Sequence, residues 1–321
     1  MAKIIAEICQ NHKGDRKILA EMIHAAKDAG ADIVKGQIIF SEDLVPRDRF
    51  EEGIVESNGV RKAIKRPYQS EYLRLSQLDL AEDDYRFFIE EADRAGVTPM
   101  LTVFSRGRIP LSAALPWKER LVKVASYDCG SFPMIRELTK HFNHLIVSTG
   151  ATFDEEIAET AAILRESGKS YAMLHCVTSY PNTLEMCNLA RIGWLKQFAP
   201  EVGWSDHTLV ERDGLKAAKV AIMLGADYIE RHFTILPVGE TKDGPVSITP
   251  KLLRELVEFA RMPREEQKHI VNREIPEWPT MVGYPTREMT HTEMMNRDYY
   301  RGRFASRVGE KWAQNWEDGV S

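Results

Sequence analysis

Short apolar runs alternate with longer amphipathic stretches along most of the chain. Runs rich in β-branched residues occupy 4–9, 33–40, 98–104, 121–126, 145–149, 171–177, 202–206 and 228–233, each with the length and composition of a buried strand. Between them, apolar positions recur at helical spacing over 16–29, near 72, and over 82–95, 110–115, 133–142, 155–167, 184–198, 213–224 and 250–261. Asp15 stands as an N-cap before the first helix and Gly30 closes it, while Gly96, Gly168 and Gly225 close later ones. A polar excursion over 41–70 shows little regular pattern. Eight strands alternating with about eight helical segments over roughly 260 residues predict an α/β fold of the (β/α)8 TIM-barrel type. A doubly wound open sheet is the competing architecture, but no Gly-x-Gly-x-x-Gly follows the first strand. The catalytic barrel is placed at residues 1–262. Residues 263–321, rich in Pro, Arg, Glu, Met and Trp, read as a C-terminal extension packing on the barrel or on a partner subunit.

In such a barrel the chemistry sits at the carboxyl ends of the strands. Strand ends here carry Glu7, Gln10, Asn11 and His12; Lys35 and Gln37; Thr102 and Ser105; Lys123, Ser126 and Asp128; Ser148; His175, Thr178 and Tyr180; Ser205, Asp206 and His207; Glu230 and His232. Inward strand positions usually hold Val, Ile or Leu, so a lysine in an apolar strand needs a partner. Lys35 and Lys123, together with hydroxyls on neighbouring strands, describe an anion cradle of ammonium charge and directional donors. The alternative is that each lysine meets a local carboxylate such as Glu7, or snorkels outward. His207 and His232 close strands seven and eight, which are neighbours in a barrel and can share one metal ion. Glu7, Asp128, Asp206 and Asp243 are the candidates for a third ligand.

Composition narrows the classes. The chain has 43 Lys and Arg against 48 Asp and Glu, a net charge of −5, with 43% hydrophobic and 28% charged residues. Disorder over most of the length and a strongly basic nucleic-acid binder are both excluded. No apolar run approaches the roughly 18–20 residues of a membrane helix, so no membrane partner is expected. The first strand begins at once, leaving no room for a secretory signal, and a cytoplasmic protein is expected. Cys9, Cys129, Cys176 and Cys187 show neither zinc-site spacing nor a disulfide framework, and read as reduced, buried small hydrophobes.

Several stretches resemble the sialic acid (N-acetylneuraminate) synthase family. They are Ala6-Glu7-Ile8-Cys9-Gln10-Asn11-His12-Lys13-Gly14, Gly30-Ala31-Asp32-Ile33-Val34-Lys35-Gly36-Gln37, Lys123-Val124-Ala125-Ser126, Ser148-Thr149-Gly150 and Leu174-His175-Cys176. The most specific are Gly203-Trp204-Ser205-Asp206-His207-Thr208 and the run from Gly225 to Thr234. The resemblance implies condensation of phosphoenolpyruvate with an aldose, an N-acetylmannosamine-like hexose, to give a nonulosonic 2-keto-3-deoxy sugar acid and phosphate. It implies phosphoenolpyruvate contacts from Lys35, Thr102, Lys123, Ser126, Ser148 and Ser205. His207 and His232 would hold a divalent metal, Mn2+ first, with Mg2+ or Co2+ as alternatives. Glu7, Asp243 and Tyr180 would act at the sugar or the reacting centre, and Gln37, Asp128 and Thr178 would contact the sugar. Family habit implies a homodimer.

The chain departs from the family at Gly36, Val103, Asp128 and Thr178. The residues after Pro285 are too few for the family's C-terminal antifreeze-like domain, which lends an arginine to a partner's site. Either Arg301, Arg303 or Arg307 substitutes for it, or this stretch is a solvated basic tail. The rivals are a related synthase using an unacetylated or phosphorylated sugar, and a non-catalytic sugar-binding homologue. A phosphorylated sugar would need a second anion site, which the sequence does not display.

Overall fold

The computed structural model describes residues 1–318. Eight parallel strands close into a barrel: β1 (Lys3–Glu7), β2 (Ile33–Ile38), β3 (Thr98–Val103), β4 (Leu121–Val124), β5 (His144–Ser148), β6 (Ser170–Cys176), β7 (Glu201–Asp206) and β8 (Tyr228–His232). Each pairs with its sequence neighbours, and β1 closes the ring on β8 through Lys3↔Tyr228 to Glu7↔His232. The expected TIM barrel is therefore the fold. Asp15 caps the first helix as read, accepting from the backbone N–H of Lys17 at 2.7 Å and of Ile18 at 3.2 Å.

Strand periodicity builds the interior in two layers. Successive side chains alternate between faces, so one residue set of each strand points inward. Ile5, Ile33, Met100, Leu121, Ile146, Ala172, Leu174 and Tyr228 form an apolar floor inside the ring. Two residues further along the same strands stand Glu7, Lys35, Thr102, Lys123, Ser148, Cys176 and Glu230. The polar layer is thus the continuation of the apolar one toward the carboxyl ends. Gly203 makes room for the bulkiest floor residue, since a Cβ there would lie 2.3 Å from the carbonyl oxygen of Tyr228. The outward strand residues pack against the helices in the main core.

Three regions differ from the sequence expectation. The helix read over 184–198 shrinks to Ala190–Leu195, because Asn188 adopts φ 46° and breaks the helical path. The polar excursion contains a small hairpin, Ile54–Val55 with Arg61–Ala63. The C-terminal extension carries helices Arg264–Glu274, Trp278–Val282 and His291–Tyr300 and a hairpin, Ser306–Val308 with Lys311–Ala313. It folds back over the carboxyl mouth of the barrel. Phe304 forms a bridge with Leu44 and meets the Phe104 ring edge-on at 5.8 Å, Ala305 N–H donates to the carbonyl of Asp43 at 3.1 Å, and Tyr300 stacks on Tyr127 at 4.9 Å.

One buried carboxylate ties this cap down. Glu71 accepts from Arg74 at 2.8 and 3.1 Å and pairs with Arg303 of the extension. Burial pushes the Glu71 carboxyl up, but the Arg74 hydrogen bonds and the Arg303 charge outweigh it and hold it down to about 2. A folded value below the ordinary 4.5 contributes stability that is complete above pH 4.5 and lost as pH falls toward 2. The protection factors of amides over 299–305, taken relative to the intrinsic exchange rate at each pH, should therefore fall below pH 4.5 before those of the barrel strands. Full protection of that segment down to pH 2 would exclude this anchoring role.

Candidate active site

A cavity of about 370 Å³ opens at the carboxyl end of the barrel, floored by the polar layer and roofed by the extension. Glu7, Lys35, Gln37, Thr102, Lys123, Ser126, Asp128, Ser148, Tyr180, Ser205, His207, His232 and Asp243 all line it. Residues from all eight strands and their following loops thus meet as the strand-end rule requires. Thr178 is the exception and corrects the expectation of a sugar contact. It is fully buried outside the lining, its methyl packs beside Gly150, and its carbonyl accepts from Asn296 at 2.7 Å.

The two lysines are not free. Lys35 Nζ lies 2.5 Å from Glu7 Oε2 and 3.0 Å from Glu230 Oε2, while Lys123 Nζ lies 3.7 Å from Glu230 Oε2 and donates to Ser148 Oγ at 2.6 Å. Ser205 Oγ donates to Glu230 Oε1 at 2.9 Å, and Gln37 Nε2 to Glu7 Oε1 at 3.0 Å. Glu230 is the hub of this network, yet sequence reading gave it no role. The available signal was its position two residues before His232, on the same inward face. Burial pushes the Lys35 ammonium down to about 7, against the pull of Glu230. Burial also opposes ionisation of Glu230, but Lys123 and Lys35 overcome it and hold that carboxyl well below its ordinary range. Thr102 Oγ1 is buried without a hydrogen-bond partner among the described residues, leaving a hydroxyl for a ligand.

Asp128 is already engaged. Its Oδ1 accepts from Ser131 Oγ at 3.0 Å and from Asn315 Nδ2 of the extension at 2.9 Å. Burial raises its carboxyl to about 6. Tyr180 sets its ring edge-on to His207 at 4.2 Å.

The imidazole corner gathers groups that can ligate a metal. Cys9, His232 and Asp243 each offer a ligand atom, and those atoms lie within 4.8 Å of one another. His232 Nδ1 is buried with no hydrogen-bond partner among the described residues. Burial lowers the pKa of His232 and, with His232 beside it, that of His207, so both imidazoles stay neutral as ligation requires. This donor set fits a divalent ion. His207, the other histidine of the expected pair, stands beside this set, its ring centroid 5.1 Å from that of His232 and its Nδ1 3.7 Å from Cys176 Sγ. Cys9 is buried as read, but its thiol donates to Asp243 Oδ2 at 3.3 Å instead of merely filling space. Burial first, and Asp243 second, raise its pKa, so metal binding would release a proton.

Other motif residues are structural. Asn11 Nδ2 donates to the carbonyl of Phe233 and to Ser247 Oγ, clamping the end of β1 to the loop after β8. His175 bonds the carbonyl of Cys187 at 2.7 Å and packs on Trp204. Arg231 and Asp206, both fully buried and 2.6 Å apart, meet Thr208 from both sides. They fix the strand ends that carry His207 and His232.

Known proteins share this arrangement of sequence and fold. The NeuB family model matches residues 22–271. An uncharacterised protein of Methanocaldococcus jannaschii is 32% identical over 81% of this chain and 70% of its own. The N,N'-diacetyllegionaminic acid synthase of Legionella pneumophila is 30% identical over 80% of this chain and 71% of its own. A crystal structure of sialic acid synthetase from Leptospira borgpetersenii, with citrate, has the same fold at TM-score 0.69 and 24% identity, covering 93% of this chain and 90% of that one.

Glu230→Gln should lower the melting temperature, since removing one partner of a buried ion pair costs about 3–5 kcal/mol. Added inorganic phosphate should recover more of that loss than it adds to the parent protein. Thermal unfolding with and without phosphate checks both, and an unchanged midpoint would mean that Glu230 does not compensate the lysines.

Proposed function

Because the chain belongs to the NeuB family, we propose that it is a transferase that condenses phosphoenolpyruvate with an N-acetylmannosamine-like hexose, giving a sialic-acid-like 2-keto-3-deoxy sugar acid and phosphate. The observation that carries this reading is the pair of buried lysines, ringed by hydroxyls, in the same cavity as the His232 corner.

The chemistry follows from that layout. Lys35 and Lys123 exchange part of their contact with Glu7 and Glu230 for the phosphate oxygens, while Ser126, Ser148, Ser205 and Thr102 supply directional donors. Holding the sugar aldehyde against C3 of the enol replaces a bimolecular encounter by a positioned one. The C3–C bond forms to the aldehyde carbon and leaves cationic character at C2. Glu7 takes a proton from the water that adds at C2 and passes it to the sugar oxygen left by the aldehyde; the C2–O bond of the resulting hemiketal phosphate then breaks, its electron pair leaving on phosphate, which also carries off the C2 hydroxyl proton as the ketone forms. Gln37 and Asp128 face the sugar, and Tyr180 orients His207. A divalent ion, Mn2+ first and Mg2+ or Co2+ otherwise, would be held by His232 with Cys9 and Asp243, or with His207. Such an ion supplies Lewis acidity toward an aldehyde oxygen. A cytoplasmic homodimer acting on small molecules is the form proposed. The four cysteines are free thiols; among the described residues, no helix is long and apolar enough to cross a membrane.

Phosphate release measured with phosphoenolpyruvate and a panel of aldoses, with and without chelator, tests the reading. Release with at least one hexose, abolished by chelator and restored by Mn2+, is expected; no release with any aldose would overturn it. Glu7→Gln should retain phosphoenolpyruvate affinity while turnover falls about 100-fold, within the usual contribution of a general base. Near-normal turnover would remove Glu7 from the reaction. Cys9→Ser should weaken Co2+ binding more than Mg2+ binding, because a thiolate favours the softer ion. Equal losses would place Cys9 outside the metal set.

A further inference from the structure

Asn315 follows the extension's hairpin and reaches the barrel mouth. It is 3% exposed, so this part of the extension is docked and is not a solvated tail. Its side-chain hydrogen bonds all go to loops of the barrel. Oδ1 accepts from the backbone N–H of Arg106 at 3.0 Å, while Nδ2 donates to the carbonyl of Phe104 and to Asp128 Oδ1, each at 2.9 Å. These partners fix which way the amide points. Turned over, it would set its carbonyl against the Phe104 carbonyl and the Asp128 carboxyl, and its N–H groups against the Arg106 N–H. An aspartate would have the same shape but neither donor.

Asp128 is the partner that bears on chemistry, because it lines the cavity from the turn after β4. Both hydrogen bonds to its carboxyl fall on one oxygen: Oδ1 accepts from Asn315 and, at 3.0 Å, from Ser131 Oγ. Oδ2 takes none among the described residues, and unlike Asp206 Oδ2 it is not sealed inside the protein. Burial pushes the carboxyl up to about 6, while Asn315, Ser131 and the charge of Arg301 oppose that rise. Arg301 is itself paired with Glu156 at 3.0 Å. The turn therefore holds a carboxyl that is costly to ionise and two donors that favour its ionised form, one from the barrel and one from the extension. Docking alone does not call for the second donor, since Phe304 against Phe104, Tyr300 against Tyr127 and Arg303 with Glu71 already seat the extension.

Resting on the reaction proposed above, in which Asp128 faces the sugar, we infer that Asn315 is a positioning residue for the aldose. It occupies Oδ1 of Asp128 and so presents Oδ2 as the acceptor for a sugar hydroxyl. An aldose carries hydroxyls that donate to a carboxylate, whereas phosphoenolpyruvate is an anion that a carboxylate repels. The contribution of Asn315 therefore falls on the sugar and not on phosphoenolpyruvate. It acts through Asp128, as one donor in a two-donor clamp whose other half, Ser131, belongs to the barrel.

The test measures kcat and the two KM values for phosphate release, as a function of pH, with the best aldose of the panel above. Asn315→Ala removes the donor without adding charge, and the near-isosteric Asn315→Asp replaces it by a second carboxyl. Each should raise the sugar KM about tenfold, the worth of one charged hydrogen bond, with the KM of phosphoenolpyruvate unchanged. In the parent the sugar KM should rise as pH falls through about 6 and Asp128 takes up a proton. In both variants that rise should begin about one pH unit higher. Asp128→Asn should abolish the pH effect, and adding Asn315→Ala to it should raise the sugar KM no further, because the two residues act as a unit. An unmoved pH effect, additive losses, or equal increases in both KM values would overturn the inference while leaving the proposed reaction standing. If no aldose supports release, the proposed reaction fails, and carbon NMR titration of the Asp128 carboxyl, its signal assigned with Asp128→Asn, judges the clamp by itself. A higher midpoint in the Asn315 variants supports it, and an equal one overturns it.

Discussion

An ammonium group cannot stay charged inside an apolar barrel without a counter-ion, and this barrel holds two. Lys35 and Lys123 stand one layer above a floor of Ile, Leu, Met and Tyr side chains, where isolated charge costs several kcal/mol per ion. Glu230 reaches toward both, and Glu7 completes the compensation. The resulting network is neutral when both lysines and both glutamates are ionised. It is also poised, because the lysines hold their carboxylates in contacts that an incoming phosphate can share. A hydrophobic replacement would pack more cheaply, so the network has the look of a site kept for chemistry.

Around that hub the fold supplies rigidity in layers. The Arg231–Asp206 pair, fully buried, locks the ends of β7 and β8, and so fixes His207 and His232 relative to Glu230. The Asn11 clamp does the same for the end of β1. The extension closes the roof. It binds Asp128 through Asn315 and Glu71 through Arg303, so the cavity is built from both ends of the chain.

Much of the inner site was legible because strand periodicity is simple. Once eight strands are recognised, alternate residues near their carboxyl ends must face one space, and Lys35, Thr102, Lys123, Ser148, Ser205 and His232 follow directly. The same rule reached Glu230 but not its importance, since pairing distances depend on strand tilt and stagger. Thr178 was misplaced because it lies just beyond β6, where alternation no longer fixes direction. Cys9 looked like a space-filler for the same reason: its φ of 44° turns it out of the strand pattern and toward Asp243.

The sequence by itself determined the barrel, its polar inner layer and the family to which the chain belongs, because these rest on short-range periodicity and on ordered local motifs. Tertiary structure alone decided which carboxylates neutralise the lysines, which groups surround His232, and that Asn315 meets Asp128. Those groups come from irregular loops and from a distant extension. No periodic rule carries their directions, and only the folded path of the backbone brings them within reach of one another.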